Sequence, residues 1–510
     1  MDAPPQPSGP GAPGAPRPEG GGRGGTLRRK AFIGVLWASL EKWSVRLSTL
    51  VGFVLLGRLL QPEEFGVVAL AMVFITLLTV VADAGFSTYL IQARSVDRRT
   101  TSTAFYISLG LGALLAGALV AVSRPLAAAF DAPALAQVLP AVSVAVLVAG
   151  ASSVPVALLS RELRFRDLAL RQVAATVTSV VVAVVLAFAG AGVWALVAQH
   201  VVRSVVACAV LWARTDFRPA WAFDRVEARR MTRFGVSALL VQLGQQTRDQ
   251  GESLLVGAVT GTTSLGHWTV ARRFVGVVVD LFSSVVNVVA QPVFAKVRDD
   301  RRQLARALGS TSALGALLLA PVLVALALLS DVVVPAVFGS QWRLAASIAA
   351  VLALRSLVLS LSEFHRSALL AAGRPGAELA VTVVQLAGQV TIILLVGGGD
   401  LVALAWWLTG WMALSWPLRA AVVRKLLGVG WGAYAETGRV LVATAVAGGL
   451  VLALARWWDP GTWGTVGIGA LGALVYALLV LLLCRRSVAD VVTSLKSLRR
   501  RRPPAAAPAP

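Results

Sequence analysis

The sequence predicts an all-α integral membrane protein with about fourteen transmembrane helices, arranged as two six-helix lobes followed by two C-terminal helices. Composition gives the first reason: 57% of the 510 residues are hydrophobic and only 14% are charged. The mean hydropathy of +0.76 is far above that of soluble globular domains. The length of the apolar runs and the placement of basic residues give the other two reasons.

Apolar runs of about 20 residues are long enough to cross the hydrocarbon core as helices. Fourteen such runs follow one another along the chain with short polar connections. They run approximately over Phe32 to Gly57, Phe65 to Ile91, Ala104 to Val122, Leu135 to Leu159, Val173 to Ala189, Val193 to Leu211, Phe234 to Val259, Leu265 to Val289, Leu308 to Leu329, Leu344 to Leu370, Leu379 to Val396, Leu401 to Leu418, Val440 to Ala455 and Val466 to Cys484.

Basic residues are concentrated in alternate loops, which predicts the orientation of the chain. The net charge is +22, but most Lys and Arg residues lie between the apolar runs and do not form a nucleic-acid-binding face. One set of loops carries Arg28 to Lys30, Arg94 to Arg99, Arg161 to Arg166, Arg225 to Arg230, Lys296 to Arg302, Arg424 to Lys425 and Arg499 to Arg502. By the positive-inside rule this side faces the cytoplasm, so both termini are predicted to be cytoplasmic and the number of spans even.

The first two helices reappear as helices seven and eight at an offset of 200 residues. Leu56-Gly57-Arg58 followed by Phe65-Gly66 corresponds to Val256-Gly257-Ala258 followed by Leu265-Gly266. A duplicated unit of six helices keeps its orientation, so the two lobes should be related by an axis along the membrane normal. The predicted segments are a disordered Pro/Gly-rich cytoplasmic tail (1–30), an N-lobe (31–213), a cytoplasmic linker (214–231), a C-lobe (232–425), two further helices (437–484) and a disordered basic cytoplasmic tail (485–510).

Charged residues inside the predicted spans are the main guide to function, because an ionised group in the bilayer is costly and marks a pathway or a partner. We single out the charged residues of five predicted helices. They are Glu41, Lys42 and Arg46 on helix one, Asp83 on helix two, Arg248, Asp249 and Glu252 on helix seven, Arg272, Arg273 and Asp280 on helix eight, and Arg355, Glu363 and Arg366 on helix ten.

Two interpretations of these charges stay open at the level of sequence. They could form ion pairs that only hold helices together, such as Arg248 with Glu252 at i,i+4 spacing, or Asp280 with Arg273. Alternatively they line a cavity, since the polar stripe of helix eight cannot face lipid. That stripe comprises Arg273, Asp280, Ser284, Asn287 and Gln291. In the second case we expect helices one and seven to face each other across a water-filled cavity.

Several motifs resemble those of the polysaccharide flippases, the Wzx-type exporters of the multidrug/oligosaccharidyl-lipid/polysaccharide superfamily. They are the opening helix Trp37 to Arg58, the segment Leu55 to Gly66, Ala82 to Phe86 followed by Gln92, Gln291 to Phe294, and Val337 to Trp342. The resemblance extends over roughly Ala31 to Leu483. It implies a central cationic cavity and alternating-access transport of a polyprenyl-pyrophosphate-linked oligosaccharide across the cytoplasmic membrane.

On this resemblance we assign candidate site residues. The cavity cations are Lys42, Arg46, Arg248, Arg272, Arg273, Arg355 and Arg366, which would hold the pyrophosphate or acidic sugars. The carboxylates that could couple an ion or simply pair with these cations are Glu41, Asp83, Asp249, Glu252, Asp280 and Glu363. The expected partners are the lipid-linked oligosaccharide, membrane lipid, and a polysaccharide polymerase with glycosyltransferases.

Other functional classes fit the sequence less well. It has no Walker A motif and no loop large enough for a nucleotide-binding domain, which argues against ATP-driven transport by this chain alone. The two cysteines, Cys208 and Cys484, lie in separate apolar runs and predict neither a disulfide framework nor a metal site. No cofactor and no enzymatic activity are expected. A cation-coupled multidrug exporter of the same superfamily, a peptidoglycan-precursor flippase and a non-transporting scaffold remain as alternatives.

Overall fold

The computed structural model describes residues 42–93, 96–297, 300–458 and 462–483. These residues form α-helices and short 3₁₀ turns, with no strand among them. The helices are α1 (42–59), α2 (Pro62–Asp83), α3 (Phe86–Gln92), α4 (Arg98–Ala129), α5 (Leu135–Arg161), α6 (Phe165–Phe188), α7 (Val193–Arg214), α8 (Arg225–Val297), α9 (Arg301–Phe338), α10 (Arg343–Ala371), α11 (Pro375–Val396), α12 (Leu401–Leu427), α13 (Ala435–Trp458) and α14 (Thr462–Leu483).

Ten of the helical segments within the described ranges are long and apolar enough to cross a membrane. The all-helical membrane architecture is therefore as predicted, whereas the arrangement of fourteen spans stays a prediction. Predicted helix two is divided in the structure into α2 and α3, because Ala84 and Gly85 both adopt left-handed backbone angles. Predicted helices seven and eight form the first and second halves of α8, which is kinked at Gly261. The φ of 81° at Gly261 is readily adopted only by glycine.

Aspartate side chains begin three of the long helices. Asp97, Asp300 and Asp400 are the N-cap residues of α4, α9 and α12, and each accepts hydrogen bonds from backbone N–H groups of the first turn. Such caps satisfy donors that have no partner inside the helix and stabilise it by about 1 kcal/mol. Hydrogen bonds from the side chain and backbone of Thr100 also lower the pKa of Asp97, which keeps this cap ionised.

A pair of glycines at equivalent positions of the repeat forms a close contact between the two halves of the chain. A Cβ atom on Gly66 would lie 1.7 Å from the carbonyl oxygen of Thr262, and one on Gly266 would lie 1.8 Å from that of Pro62. Because each half thus contacts the other with the same two positions, the packing is reciprocal, as it is across a twofold axis. α2 therefore lies directly against the middle of α8.

Side chains reinforce this contact at the same end of the bundle. Arg58 donates to the carbonyl oxygens of Val337 and Ala336, both at 2.6 Å, and so caps the C-terminus of α9. The indole Nε1 of Trp342 donates to the carbonyl oxygen of Gly57 at 2.7 Å. These bonds tie the α1–α2 connection to the α9–α10 connection.

At the opposite end of α2, other residues join α3 to the beginning of α8. The hydroxyl of Tyr89 donates to Glu227 at 2.6 Å, and its ring lies 5.6 Å from that of Phe234. Gly85 lies against Gly235, where a Cβ would approach the Gly235 carbonyl oxygen to 2.6 Å. The first half of α8 is consequently held against α2 and α3 at both ends.

Candidate functional site

Two cavities in the described part of the chain carry charged side chains, and the second half of α8 lies beside both. The first, called here the α1–α8 cavity, lies between α1 and the second half of α8 and has a volume of about 480 Å³. The second, called here the C-lobe cavity, lies among the first half of α8, α10, α11 and α12 and has a volume of about 330 Å³.

The α1–α8 cavity combines an apolar wall with cations. Its apolar lining includes Trp43, Leu47 and Leu50 of α1 and Val277 of α8. Trp43 and Leu47 are each 63% exposed, so this wall is open to the surroundings of the helix bundle. An apolar surface next to fixed charges suits a ligand with an apolar chain and a charged group.

Arg46 and Arg273 are the cations that line this cavity. Arg46 donates through Nη2 to the backbone carbonyl of Asp280 at 3.4 Å. The guanidinium carbon of Arg273 lies 4.7 Å from the ring centroid of Phe53, so the ring supports the cation from one side. Asp280 also lines the cavity.

A third arginine, Arg203 of α7, lies close enough to Arg273 for the two charges to repel each other. His200, one turn earlier on α7, also lies near both arginines. Within the described residues, none of Arg46, Arg203 and Arg273 forms an ion pair. Like charges kept together in a bundle interior create a positive potential that favours an anion.

The C-lobe cavity is different because its charges are paired. Glu252 of α8 accepts two hydrogen bonds from Arg355 of α10, at 3.0 and 2.7 Å. Glu378 of α11 accepts two from Arg419 of α12, at 3.1 and 2.9 Å. All four side chains are nearly buried, and charge-assisted hydrogen bonds of this kind make buried charges tolerable.

Two further pairs lie in more exposed parts of the same lining. Arg248 contacts Asp249 at 3.3 Å, and Arg366 contacts Glu363 at 2.7 Å. The expected i,i+4 pair of Arg248 with Glu252 does not form. On the first half of α8, Glu252 is directed towards the buried Arg355, whereas Arg248 lies at the more exposed surface. A buried guanidinium depends more strongly on a counter-charge than an exposed one does.

The remaining predicted site residues lie elsewhere. Arg272 is directed towards the C-lobe side, where it donates to the backbone carbonyl of Asp249 at 3.3 Å. Lys42 is exposed near the beginning of α1 and does not line the α1–α8 cavity. Asp83 lines neither cavity and accepts hydrogen bonds from the hydroxyls of Ser87 and Ser153. Glu41 lies outside the described residues, as do the side chains of Ser284, Asn287 and Gln291.

The expectation that helices one and seven face each other also needs correction. α1 faces the second half of α8, which corresponds to predicted helix eight, through the contacts of Arg46 and Arg273. The charged residues of predicted helix seven face α10 to α12 instead. The kink at Gly261 separates these two faces, since it joins two helices that run in different parts of the bundle.

Three charged residues in or near the cavities were missed by the sequence analysis. Glu378 and Arg419 each lie one position outside the predicted boundary of a span, so they were taken as loop residues. Arg203 lies inside the predicted span Val193 to Leu211, where it is the only Lys, Arg, Asp or Glu. That isolated charge was a usable signal, because an arginine within a span needs a protein or water environment.

Comparison with known proteins gives the family. The polysaccharide biosynthesis protein family matches residues 55–347, which is more than half of the chain. The chain belongs to this family. The matched range includes Leu55 to Gly66 and Val337 to Trp342, so the resemblance predicted from those motifs is confirmed.

Three curated proteins share low sequence identity with this polysaccharide biosynthesis protein over long alignments. The succinoglycan biosynthesis transport protein ExoT of Rhizobium meliloti (strain 1021) is 28% identical over 324 residues, 64% of this chain and 66% of that protein. The teichuronic acid biosynthesis protein TuaB of Bacillus subtilis (strain 168) is 26% identical over 386 residues, 75% and 80% of the two chains. The lipopolysaccharide biosynthesis protein WzxC of Escherichia coli (strain K12) is 23% identical over 62% of this chain and 65% of that protein. The aligned region thus spans just under two thirds of ExoT and of WzxC.

Solved structures show the fold of this family member. The lipid II flippase MurJ in an inward closed conformation superposes with a TM-score of 0.68 at 13% identity, covering 90% of this chain and 100% of that one. An inward-facing multidrug resistance MATE family transporter of the MOP superfamily gives a TM-score of 0.57 at 15% identity, with 75% and 94% covered. At these identities the likeness establishes the fold alone.

Proposed function

We propose that this protein carries a polyprenyl-pyrophosphate-linked oligosaccharide, a precursor of cell-surface polysaccharide, across the bacterial cytoplasmic membrane by alternating access. The observation that carries the proposal is the α1–α8 cavity, in which Arg46 and Arg273, without ion-pair partners among the described residues, lie beside an open apolar wall with Arg203 of α7 nearby. Its cationic part matches a pyrophosphate and its apolar part matches a prenyl chain. The proposal places both termini in the cytoplasm.

Arg46, Arg203 and Arg273 are the residues proposed to hold the pyrophosphate. A guanidinium offers several N–H donors in a planar fork that matches phosphate oxygens, and it stays charged at any physiological pH. Phe53 would keep Arg273 in place through the cation–π contact while its donors bind the ligand. Trp43, Leu47 and Leu50 would then contact the first part of the prenyl chain.

Alternating access would use the two sets of contacts between α2 and α8. The positive-inside rule places Arg58 and Trp342 at the external end and Tyr89 with Glu227 at the cytoplasmic end. For the protein to open towards one side, the contacts at that end must break while the contacts at the opposite end remain. The two sets of contacts therefore define two states, one open to each side. The paired glycines, Gly66 and Gly266, belong to the external set.

The alternatives receive less support. A multidrug exporter for cationic compounds needs uncompensated carboxylates in its cavity, whereas the α1–α8 cavity is lined by two arginines and a single carboxylate, Asp280, with Arg203 nearby. A peptidoglycan-precursor flippase would also bind pyrophosphate. The names of ExoT, TuaB and WzxC refer to other cell-surface polysaccharides and favour that cargo. A polymerase and glycosyltransferases are the proposed partners, and the chain itself is proposed to act without a cofactor or enzymatic step.

The test measures the leaflet in which lipid-linked oligosaccharide is accessible, in membranes depleted of this protein. Depletion should trap the glycan on the cytoplasmic leaflet. Restoring the protein as an Arg46→Ala/Arg273→Ala variant should leave translocation at least about tenfold slower, because hydrogen bonds to charged groups each contribute about 1.5–3 kcal/mol. Arg124→Ala/Arg374→Ala is the matched control, since it removes two guanidinium groups from exposed positions.

Normal translocation after depletion would remove the flippase proposal. Full activity of the Arg46→Ala/Arg273→Ala variant, inserted at the normal level, would keep the flippase but return these two arginines to a structural role. An equal defect in the control variant would show a general sensitivity to loss of positive charge and would also count against the assigned site.

A further inference from the structure

The C-lobe cavity is lined by four arginines and four carboxylates, so its formal charge is zero. Each arginine has its own carboxylate: Arg248 with Asp249, Arg355 with Glu252, Arg366 with Glu363 and Arg419 with Glu378. The α1–α8 cavity, in contrast, collects cations. The two cavities therefore differ in the charge of the ligand that each can accept.

Amide and hydroxyl side chains add further hydrogen bonds to both buried pairs. Gln389 donates to Glu252 at 2.5 Å, and Gln385 accepts from Arg419 at 3.0 Å. Gln385 also donates to the hydroxyl of Ser415 at 3.0 Å. The hydroxyl of Thr382 donates to Glu378 at 3.1 Å. Because these side chains are hydrogen-bonded to the charged pairs or to each other, the donors and acceptors around the cavity have defined positions.

A ligand for such a lining should be polar, rich in groups that both donate and accept, and uncharged. An anion would compete with carboxylates for arginines that are already paired, and a cation would compete with the arginines. A sugar hydroxyl donates one hydrogen bond and accepts others, so it can insert beside an Arg–carboxylate pair without separating the two charges. The alternating donors and acceptors of the lining match a ring that carries several hydroxyls.

We infer that the C-lobe cavity binds neutral sugar residues of the glycan whose pyrophosphate is held in the α1–α8 cavity. This inference rests on the proposed function and adds a second, separate binding region to it. It reassigns Arg248, Arg355 and Arg366 from binding of anionic groups to binding of sugar hydroxyls.

The position of α8 supports a shared ligand. Consecutive residues of its second half face the two cavities: Arg273 lines the α1–α8 cavity, and Arg272 donates to Asp249, which lines the C-lobe cavity. Consecutive residues of an α-helix point about 100° apart, so the cavities lie beside neighbouring faces of one helical turn, and the helix is about 10–12 Å in diameter with side chains. An oligosaccharide of a few residues is the part of the ligand that can extend over this distance.

The experiment compares equilibrium binding of three tritiated lipids to the purified full-length protein in nanodiscs. The first is a polyprenyl pyrophosphate without sugar, the second carries a neutral trisaccharide, and the third carries the same trisaccharide with uronic acids in place of the hexoses. We expect the neutral glycolipid to bind about tenfold more tightly than either other lipid, as several hydrogen bonds of modest net strength would give.

Glu363→Gln/Arg366→Gln is the main variant. It removes one pair at the more exposed part of the lining and keeps the charge of the cavity at zero. It should bring the affinity for the neutral glycolipid close to that for the sugarless lipid, whose own affinity should not change. Glu436→Gln/Arg439→Gln is the matched control, because it removes another i,i+3 pair, with 2.6 Å between the partners, on α13 outside the cavity. Arg248→Gln/Asp249→Asn provides a second variant of the lining.

The outcomes distinguish the proposed sugar site in the C-lobe cavity from the proposed pyrophosphate site in the α1–α8 cavity. An unchanged affinity for the neutral glycolipid in both lining variants, or equally tight binding of the uronic-acid lipid, would overturn the sugar site. If Arg273→Ala abolishes binding of all three lipids and the lining variants weaken only the binding of the neutral glycolipid, both the pyrophosphate site and the sugar site are supported. If Arg273→Ala leaves the sugarless lipid bound as tightly as before, the proposed pyrophosphate site fails, whatever the lining variants show.

Discussion

Gly66 and Gly266 pack backbone to backbone at equivalent positions of an internal repeat, 200 residues apart in the sequence. A side chain on Gly66 meets the carbonyl oxygen of Thr262, which belongs to the helix backbone and cannot rotate away. We expect Gly66→Ala to separate α2 from α8 and to lower the stability of the protein by at least about 1–3 kcal/mol, the usual range for overpacking.

Thermal unfolding of the purified protein, followed by tryptophan fluorescence, measures this effect. Gly110→Ala in α4 is the control, because a Cβ at Gly110 has no neighbour within 4 Å. Equal unfolding temperatures for the two variants would contradict the close contact between the repeats.

The buried pair of Arg355 with Glu252 should behave as a unit. Arg355→Met leaves Glu252 as a buried, unpaired charge and should cost about 3–5 kcal/mol. Adding Glu252→Gln removes that charge, so the double variant should be more stable than Arg355→Met alone. A double-mutant cycle, measured on the free energy of unfolding, gives the interaction energy between the two residues.

The same cycle on Arg439 and Glu436 serves as a comparison, because this pair is more exposed and such pairs contribute about 0–1 kcal/mol. Simple additivity of the Arg355 and Glu252 substitutions would mean that their bidentate contact does not contribute to the folded state.

Arg58→Ala should favour opening of the external end. The substitution removes two hydrogen bonds of 2.6 Å to the C-terminus of α9 without touching the cytoplasmic contacts. Each is a charge-assisted bond, so the closed arrangement of this end should lose about 2 kcal/mol or more. Spin labels on Glu63→Cys and Arg343→Cys, both exposed, should show a longer distance component by pulsed electron resonance. Arg124→Ala is the control, and an identical distance distribution in both variants would refute the role of Arg58.

The orientation of the chain can be checked with reporter fusions. A green fluorescent protein fused after Pro510 should fluoresce, because the C-terminus is predicted to be cytoplasmic. Alkaline phosphatase fused after Trp457, at the end of α13, should be active because that end is predicted to face outside. The reverse pattern would show that the spans are odd in number or that the basic loops lie outside.

Much of the architecture could be predicted from local sequence features. Apolar length and composition predicted a helical membrane protein, and the glycine motifs near Gly66 and Gly266 predicted the repeat. The division of predicted helix two at Ala84 and Gly85 was not predicted, because an apolar run with one glycine gives no clear signal for a left-handed turn. Span boundaries were uncertain by a few residues, and that uncertainty alone hid Glu378 and Arg419.

The sequence by itself determined the membrane class, the family motifs and most of the charged residues that line the cavities, since these depend on composition, run length and residue type. Only the tertiary structure decided which of these charged residues lie close to one another. Glu252 pairs with Arg355, 103 positions away, and not with its helical neighbour Arg248. Arg203 of α7 lies within electrostatic range of Arg273 of α8. Spacing along one helix shows which residues share a face, but the counter-charge that a buried residue finds depends on which other helix packs against that face.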